Sequence, residues 1–388
     1  MKEKGVVKPL GRRERFLKSL NHQEPDRVPI DLGSVGGGIT DVAYSRVKEY
    51  LGIKGDGGTT YTTTLTVSQF DERVLQALNV DVRRVGLRGS KRRPGRVEQP
   101  DGSWADEWGI FYRKAGYYNQ IVKNPLRNAA VADLARHPWP DPGDPSLVEG
   151  LAAQARTLYE GTDFAISAKS VSGGIFQTCC RLRSMEQFLM DMLTDKPFAL
   201  ELLARVEDSV LGLTDALLTA AGPYVQMVET QDDLGTQRAP LISPALYREM
   251  IQPCHAHLSA LIKKKTDGKA RVFLHSDGSI FDVLPDVIDA GIEVLNPLQP
   301  HAAKMDPKGL KAAFGDKLAF HGGLDQQQTI PFGTPGEAAA DVRRVIRALA
   351  PKGGYIFAPC HNLQPDVPPE NILAIYRAAA EYGVYPIS

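Results

Sequence analysis

Two short segments in the C-terminal part of the chain carry side chains that can bind a metal ion. The segment FLHSDGS (273–279) contains His275 and Asp277, and YIFAPCHN (355–362) contains Cys360 and His361. In each segment an apolar run, typical of a buried strand, ends in these polar groups. An imidazole, a carboxylate and a thiolate at two strand ends suit a zinc ion with one open position. We therefore predict a catalytic metal site at His275, Asp277 and Cys360.

Eight strand-like segments occur along the chain and predict its fold. They are residues 27–31, 80–85, 164–169, 224–229, 271–275, 292–296, 318–322 and 355–359. Between most of them lie segments with helical periodicity, such as 184–220, 243–265 and 334–350, the last beginning with a Thr-Pro cap. Alternating strands and helices predict an α/β fold, a single (β/α)8 TIM barrel over residues 1–388. The active site of such a barrel forms at the C-terminal ends of its strands.

The second and third predicted strands are separated by more residues than one helix needs. Within residues 86–145, an Asp-Gly pair at Asp101 and Gly102 lies between runs rich in aromatic residues, which is typical of a hairpin. A proline-rich stretch, 137–145, follows it. We predict that residues 86–145 form an inserted hairpin and loop region over the barrel mouth.

Most of the predicted strands end in polar residues that a barrel core would not tolerate. As catalytic residues we predict His321, His361 and Asp232, and as substrate-binding residues Asp31, Glu229, Asp233, Asn296, Gln299 and Asp325. His321 has an alternative role as a packed histidine bonded to the backbone. Asp232, Asp233 and Asp325 have an alternative role as caps of the helices that follow them.

Composition excludes some partners. The 46 basic and 46 acidic residues balance, which gives no reason to expect nucleic acid or an anionic membrane surface as a partner. Four cysteines are a poor disulfide framework for 388 residues. We find no apolar stretch of membrane-spanning length and no apolar segment after the charged N-terminus, so we expect a cytoplasmic protein. A homodimer is the default expectation for a soluble barrel.

A basic run extends from Arg83 to Arg96. The simpler interpretation is a solvated loop, and the alternative is a docking surface for an acidic protein or a polycarboxylate. Neither a P-loop nor a dinucleotide-binding glycine fingerprint is present.

Several motifs together resemble the uroporphyrinogen decarboxylase superfamily over nearly the whole chain. They are RRERFLKSLNHQEPDRVPIDLG, DGSWADEWGI, DDLGTQRAPLISPALYREMIQP, FLHSDGSI, FHGGLDQQ and PCHNLQPDVPPENI. The chain is more similar to the branch of cobalamin-dependent methyltransferases and aryl methyl ether O-demethylases than to the decarboxylases. The decarboxylases carry an arginine-bearing Met-Arg-Gln-Ala-Gly-Arg motif after the first strand, where this chain has DLGSVGGG.

The resemblance implies a zinc ion held by a His-x-Cys motif and a distant cysteine. These positions match His275 and Cys360, with Asp277 in place of the middle cysteine. Aspartate is a competent zinc ligand and would leave a harder, more electrophilic metal. In the alternative, Asp277 orients His275, and Glu229 or another group completes the coordination sphere.

The activity implied is zinc-dependent methyl transfer between a small methylated molecule, such as an aryl methyl ether, and cobalamin carried by a separate corrinoid protein. His321 or His361 would supply a proton to the leaving group. Two alternatives remain open: a cofactor-free decarboxylase and a non-catalytic ligand-binding barrel. The sequence does not identify the substrate.

Overall fold

A curled sheet of parallel strands forms the centre of the molecule. The computed structural model describes residues 9–61, 66–93, 95–116, 118–169 and 173–387. Within these residues the sheet has seven strands, each paired with its neighbours in sequence order. They are Val82–Gly86, Ala165–Lys169, Met227–Gln231, Arg271–His275, Val294–Asn296, Ala319–His321 and Tyr355–Ile356.

Residues 29–31 lie between the first and last strands of this sheet. The Phe357 N–H donates to the Pro29 carbonyl, and the Asp31 N–H donates to the Phe357 carbonyl. On the other side, the Asp81 N–H donates to the Ile30 carbonyl. The predicted first strand, 27–31, is therefore reduced to an isolated bridge between Ile30 and Phe357, because Pro29 has no N–H to extend the ladder. The result is an α/β fold of the TIM-barrel type.

The inner face of the sheet has two layers of side chains. The lower layer is apolar, and each strand contributes one residue to it: Val82, Ala165, Met227, Phe273, Val294, Ala319 and Ile356. Phe16 and Leu20 of the helix Arg12–Leu20 pack against this layer. Because side chains alternate along a strand, residues two positions further on face the same interior. These positions, nearer the C-terminal ends, hold Arg84, Ser167, Glu229, His275, Asn296 and His321.

Helices connect most of the strands. The α-helices are Arg12–Leu20, Asp41–Tyr50, Glu72–Ala77, Val131–Leu134, Leu151–Gly161, Ile175–Arg183, Met185–Thr194, Lys196–Ala221, Pro244–Leu246, Gln252–Lys265, Leu284–Asp289, Pro307–Phe314, Thr329–Phe332, Pro335–Leu349 and Pro369–Tyr382. Tyr247–Ile251 is a π-helical turn, and Pro145–Val148, Gly222–Tyr224 and Phe281–Val283 are 3₁₀ turns. The helix predicted over 334–350 is confirmed, and its Thr334 cap accepts from the Glu337 N–H. The helix predicted over 184–220 is divided at Asp195, which caps its second part.

A four-stranded antiparallel sheet lies in sequence between the first two strands of the parallel sheet. Its strands are Val97–Glu98, Trp104–Ala105, Phe111–Ala115 and Tyr118–Lys123. The predicted hairpin at Asp101 and Gly102 joins the first two. Placement of residues 86–145 over the barrel mouth stays a prediction. A two-stranded antiparallel sheet contains Thr60–Tyr61 and Val67–Gln69.

Among the described residues, no helix combines the length and the apolar character needed to span a bilayer.

Candidate metal and substrate site

Hydrogen bonds through Asn296 orient the imidazole of His275. Nδ2 of Asn296 donates to the carbonyl of His321 at 3.1 Å, which leaves Oδ1 of Asn296 facing Nδ1 of His275 at 2.5 Å. Nδ1 of His275 must then carry the hydrogen, and Nε2 keeps a free lone pair. Nδ2 of Asn296 also donates to Nδ1 of His321, and Nε2 of His321 donates to Asp31, each at 2.9 Å. The chain of bonds thus extends from Asp31 to His275.

Arg84 forms ion pairs with two buried carboxylates under the site. Its guanidinium donates to Asp31 at 2.5 Å and to Glu229 at 2.9 Å, and both carboxylates are fully buried. Glu229 also accepts from the Ser167 hydroxyl and from the Val35 N–H. Burial opposes the charge of Asp31, but Arg84 and the bond from His321 outweigh it and hold the pKa of Asp31 well below its ordinary value. Arg84 and other protein donors therefore occupy the oxygens of both carboxylates.

Above this layer, His275, Asp277 and His361 form a compact group of possible metal ligands. One ligand atom from each lies within 4.8 Å of the others. Nε2 of His275 is 3.8 Å from Oδ2 of Asp277, and Nε2 of His361 is 3.5 Å from the same oxygen. A separation of 3.8 Å is too long for a hydrogen bond. The lone pair of His275 is therefore directed into the group without a bonded partner there.

The donor set fits a zinc ion. Two imidazoles and one carboxylate, with a position left open, form a known catalytic zinc set. Oδ1 of Asp277 is buried and has no hydrogen-bond partner among the described residues, a costly arrangement unless a cation or another donor binds it. Burial opposes a charge on His361, but its contact with Asp277 outweighs this and raises the pKa of His361. The carboxylate of Asp277 thus favours a positive charge beside it.

A glycine of the segment GSVGGG (33–38) lies directly against His275. Gly36 has a φ of +70°, and a Cβ built on it would be 2.0 Å from Cε1 of the imidazole. Only glycine permits this approach. The same loop contacts the last strand's end, because the Gly38 N–H donates to Oδ1 of Asn362 at 2.9 Å. The loop thus connects the two segments that carry the possible ligands.

Cys360 does not belong to this group. It is buried beside Gly323, and burial together with the nearby Asp277 charge raises the pKa of its thiol well above the ordinary value. The structure groups His361, predicted as a catalytic residue, with His275 and Asp277, and the predicted role of Cys360 as a ligand stays a prediction. The two residues are adjacent after a strand, and the ring of His361 lies 5.9 Å from that of His275, measured between ring centres.

Asp232, Asp233 and Asp325 were each predicted to have either a functional role or a helix-capping role, and the structure distinguishes them. Asp232 accepts from the Phe176 and Gln177 N–H groups and from Nε2 of His255. It thus caps the helix Ile175–Arg183, which precedes it in the chain, and not a helix that follows it as predicted. Asp325 accepts from three N–H groups at the start of the helix Thr329–Phe332. Asp233 instead lies 3.9 Å from Nε2 of His275. Burial raises the pKa of Asp233, and the Asp277 charge adds to this effect.

A cavity of about 360 Å³ opens beside the possible metal ligands. Its lining residues are Asp277, Gln299, Pro300, His301, Leu324, Gln326, Gln327, Cys360, His361, Asn362 and Gln364. Gln299 is the predicted substrate-binding residue found here. None of these lining residues is Lys, Arg, Phe, Tyr or Trp. A larger groove of about 540 Å³, lined by residues 122–129 and Asp133, contains no group of possible metal ligands among the described residues.

The sequence prediction missed Arg84 and Gly36. Arg84 was treated as part of the basic run, which was interpreted as a solvated loop or a docking surface. Its side chain is only 14% exposed and lies inside the barrel. The alternation of VDVRRV was the available signal, because Arg84 is two residues from the inward-facing Val82. Other members of the run pair with surface acids: Lys91 with Glu149, and Arg92 with Asp141. Nothing in the sequence indicated that Gly36 touches His275.

Comparison with solved structures places the fold. The structure is similar to that of a methyltransferase from Methanosarcina mazei, with a TM-score of 0.64 and 16% sequence identity. The match covers 96% of this chain and 99% of the other. At this identity the likeness shows the fold alone, an α/β fold built on a curled parallel sheet.

Sequence comparison identifies the family. The sequence model of the uroporphyrinogen decarboxylase (URO-D) family matches residues 117–382 of this chain. The uroporphyrinogen decarboxylase of Magnetococcus marinus is 22% identical over 383 residues, which is 96% of this chain and 97% of that protein. The enzyme of Pseudomonas fluorescens is 24% identical over 266 residues, covering 65% and 69% of the two chains. The chain belongs to the uroporphyrinogen decarboxylase family.

Proposed function

We propose that this protein is a zinc-dependent methyltransferase that moves a methyl group between a small methylated molecule and cobalamin on a separate corrinoid protein. The observation that carries the proposal is the group formed by His275, Asp277 and His361, which opens on a cavity. The likeness in fold to a methyltransferase from Methanosarcina mazei supports methyl transfer as the class of reaction.

The three side chains would hold the metal through Nε2 of His275, a ring nitrogen of His361 and a carboxylate oxygen of Asp277. When bound, zinc supplies Lewis acidity to the atom that gives up or accepts the methyl group. Asn296 fixes the ring of His275 through its Nδ1–H, and Gly36 leaves room for that ring. Asp233 accepts from the Asp277 N–H at 3.2 Å and so positions the backbone of the second ligand.

His321 orients the site in this proposal and does not transfer a proton. Its side chain is fully buried, and its two nitrogens are bonded to Asn296 and Asp31. His361 is a metal ligand. We assign Asp31 and Glu229 to the support of the ligands, because Arg84 and other protein donors occupy their oxygens.

The decarboxylase alternative has weaker support from the cavity. A porphyrinogen with many carboxylates needs cationic groups around it. The lining residues include neither Lys nor Arg, and the segment after Asp31 also lacks arginine. A volume of about 360 Å³ lies near the lower end of the range for small-molecule sites, about 300–1,000 Å³. These features favour a smaller and less charged substrate.

The test is methyl exchange with free cobalamin. Zinc-loaded protein is incubated with cob(I)alamin and a panel of small methoxy, methylthio and methylamino compounds, and the absorption spectrum reports methylcobalamin. We expect methyl transfer from at least one compound, abolished by chelation and by Asp277→Ala, and retained in the surface variant Gln154→Glu. Parallel incubation with uroporphyrinogen tests the alternative. No methyl transfer, combined with release of CO2 from the porphyrinogen, would contradict the proposal.

A further inference from the structure

The cavity wall beside His361 carries three carboxamides with the same arrangement. Oε1 of Gln299 accepts from the Gly278 N–H at 2.8 Å, and Oδ1 of Asn362 accepts from the Gly38 N–H at 2.9 Å. Oε1 of Gln326 accepts from the His361 N–H. A backbone N–H can only donate, so the amide oxygen must face it in each case. The orientation of all three amides is therefore fixed.

This arrangement leaves three NH2 groups available to a ligand. Within the part of the chain that the structure describes, no hydrogen bond is recorded for the NH2 group of Gln299, Gln326 or Asn362. All three residues line the cavity that also contains Asp277 and His361. The wall thus presents hydrogen-bond donors next to the possible metal ligands. A complementary ligand supplies acceptor oxygens.

The charges around the cavity favour an uncharged acceptor. Among the described residues its lining has no Lys or Arg, and it includes the carboxylate of Asp277, which lies 3.5 Å from Nε2 of His361. The imidazole of His301 is committed to Asp325, with Nε2 2.9 Å from Oδ1. Burying a carboxylate of the substrate without a cationic partner would be costly, whereas a carbonyl or ether oxygen needs only the amide donors.

We infer that this cavity binds the end of the substrate remote from the transferred methyl group, and that this end bears uncharged acceptor oxygens bound by Gln299, Gln326 and Asn362. The inference rests on the proposed function, because it takes the molecule bound in the cavity to be the methylated substrate. The class it names is small, uncharged methylated compounds with a carbonyl or second ether oxygen in the part of the molecule that points away from the methyl group. Simple alkyl ethers and carboxylates of the same shape bind less well.

Three probes of nearly the same shape test this selectivity. They are methoxyacetone, methoxyacetate and isobutyl methyl ether, which present a ketone, a carboxylate and an isopropyl group at the same place. Their binding to the chelator-treated protein is measured by ligand-observed NMR titration. We expect methoxyacetone to bind at least about tenfold more tightly than either other probe. Equal binding of isobutyl methyl ether, or tighter binding of methoxyacetate, would overturn the inference.

Two variants connect the selectivity to the amides. Asn362→Asp and Gln326→Glu replace only an NH2 group by an oxygen and keep the oxygen that accepts from the backbone. Each is expected to weaken methoxyacetone binding about tenfold, with an unchanged circular dichroism spectrum. Gln154→Glu is the control, since the oxygen of Gln154 accepts from Arg88 on an exposed helix. Unaltered binding in both cavity variants would contradict the inference.

Binding and methyl transfer can fail separately. Selective binding of the ketone by the metal-free protein, without any methyl transfer, would refute the proposed function. It would still support the binding of an uncharged acceptor oxygen by the three amides. Methyl transfer from a substrate that binds without selectivity for the acceptor oxygen would refute the inference alone.

Discussion

His275 donates its Nδ1 hydrogen to Oδ1 of Asn296 across 2.5 Å, and this bond determines that Nε2 faces Asp277. The orientation of Asn296 is itself determined, because its NH2 group donates to the His321 carbonyl. A ligand ring held in this way binds metal without first losing rotational freedom.

Replacing Asn296 should weaken zinc binding without removing a ligand. Asn296→Leu removes the acceptor of the His275 hydrogen, and we expect zinc affinity to fall about 10- to 100-fold, as is usual when a ligand's hydrogen-bond partner is lost. Competition with a coloured chelator measures this affinity. Asn296→Asp is the matched variant, because it keeps an oxygen for Nδ1 of His275, and it should bind zinc more tightly than Asn296→Leu. Equal affinity in the two variants would show that the bond does not orient the ring.

The close contact between Gly36 and His275 should make alanine intolerable at position 36. Gly36→Ala places a Cβ 2.0 Å from the imidazole in a backbone with φ of +70°. We expect a loss of stability of about 1–2 kcal/mol from the backbone and about 1–3 kcal/mol more from overpacking, together with weaker zinc binding. Denaturant unfolding and chelator competition measure the two effects.

Gly52 provides the control for the backbone cost. Its φ is +67°, and a Cβ built there meets nothing within 4 Å. Gly52→Ala should lose only about 1–2 kcal/mol and keep its zinc affinity. A loss of zinc affinity in both variants would point to a general effect of destabilisation and against a specific contact.

Removing the charge of Arg84 should destabilise the barrel strongly. Arg84→Met leaves Asp31 and Glu229 buried without their cationic partner, and the expected cost is about 3–5 kcal/mol at neutral pH. Without the Arg84 charge, burial raises the pKa of Asp31, so the deficit should shrink as pH falls and this carboxylate becomes protonated. Urea unfolding at several pH values measures it. The double variant Arg84→Met/Glu229→Gln should recover part of the loss, and no recovery would mean that Arg84 acts mainly through packing.

Lys311, at the opposite end of the barrel, should give a pH dependence of stability in the alkaline range. Burial, with the nearby Lys352 charge, lowers the pKa of Lys311 to about 8. Between about pH 8 and the ordinary lysine pKa of about 10.4, the unfolded chain binds a proton that the folded protein does not. Stability from this group therefore rises with pH across that window. The difference in unfolding free energy between wild type and Lys311→Met should change over this range, and a difference constant with pH would contradict the assignment.

The polar layer of the barrel shows how far the sequence predicts the site. Strand alternation and the polar residues at strand ends were sufficient to place His275, Asn296 and His321 at one end of a parallel sheet. The same alternation would have placed Arg84 there, but its neighbours in a basic run concealed it. The two-residue alternation of side chains along a strand, together with residue type, predicts which face of the sheet a side chain occupies.

The choice between Cys360 and His361 depends on information of another kind. Both residues follow the last strand, and residue type and spacing do not distinguish which of two adjacent metal-binding side chains joins His275 and Asp277. Contacts between distant segments, such as Gly36 against His275, depend on the packing of a loop with no regular periodicity. The capping roles of Asp232 and Asp325 also require knowledge of where a neighbouring helix begins.

The zinc content of variants at two adjacent residues tests the central claim most directly. Wild type, His361→Ala and Cys360→Ala are purified without chelators, supplied with zinc, dialysed and analysed for metal. The structure predicts one zinc per chain in wild type and Cys360→Ala, and loss of zinc in His361→Ala. Zinc retained by His361→Ala and lost from Cys360→Ala would contradict the His275, Asp277 and His361 site.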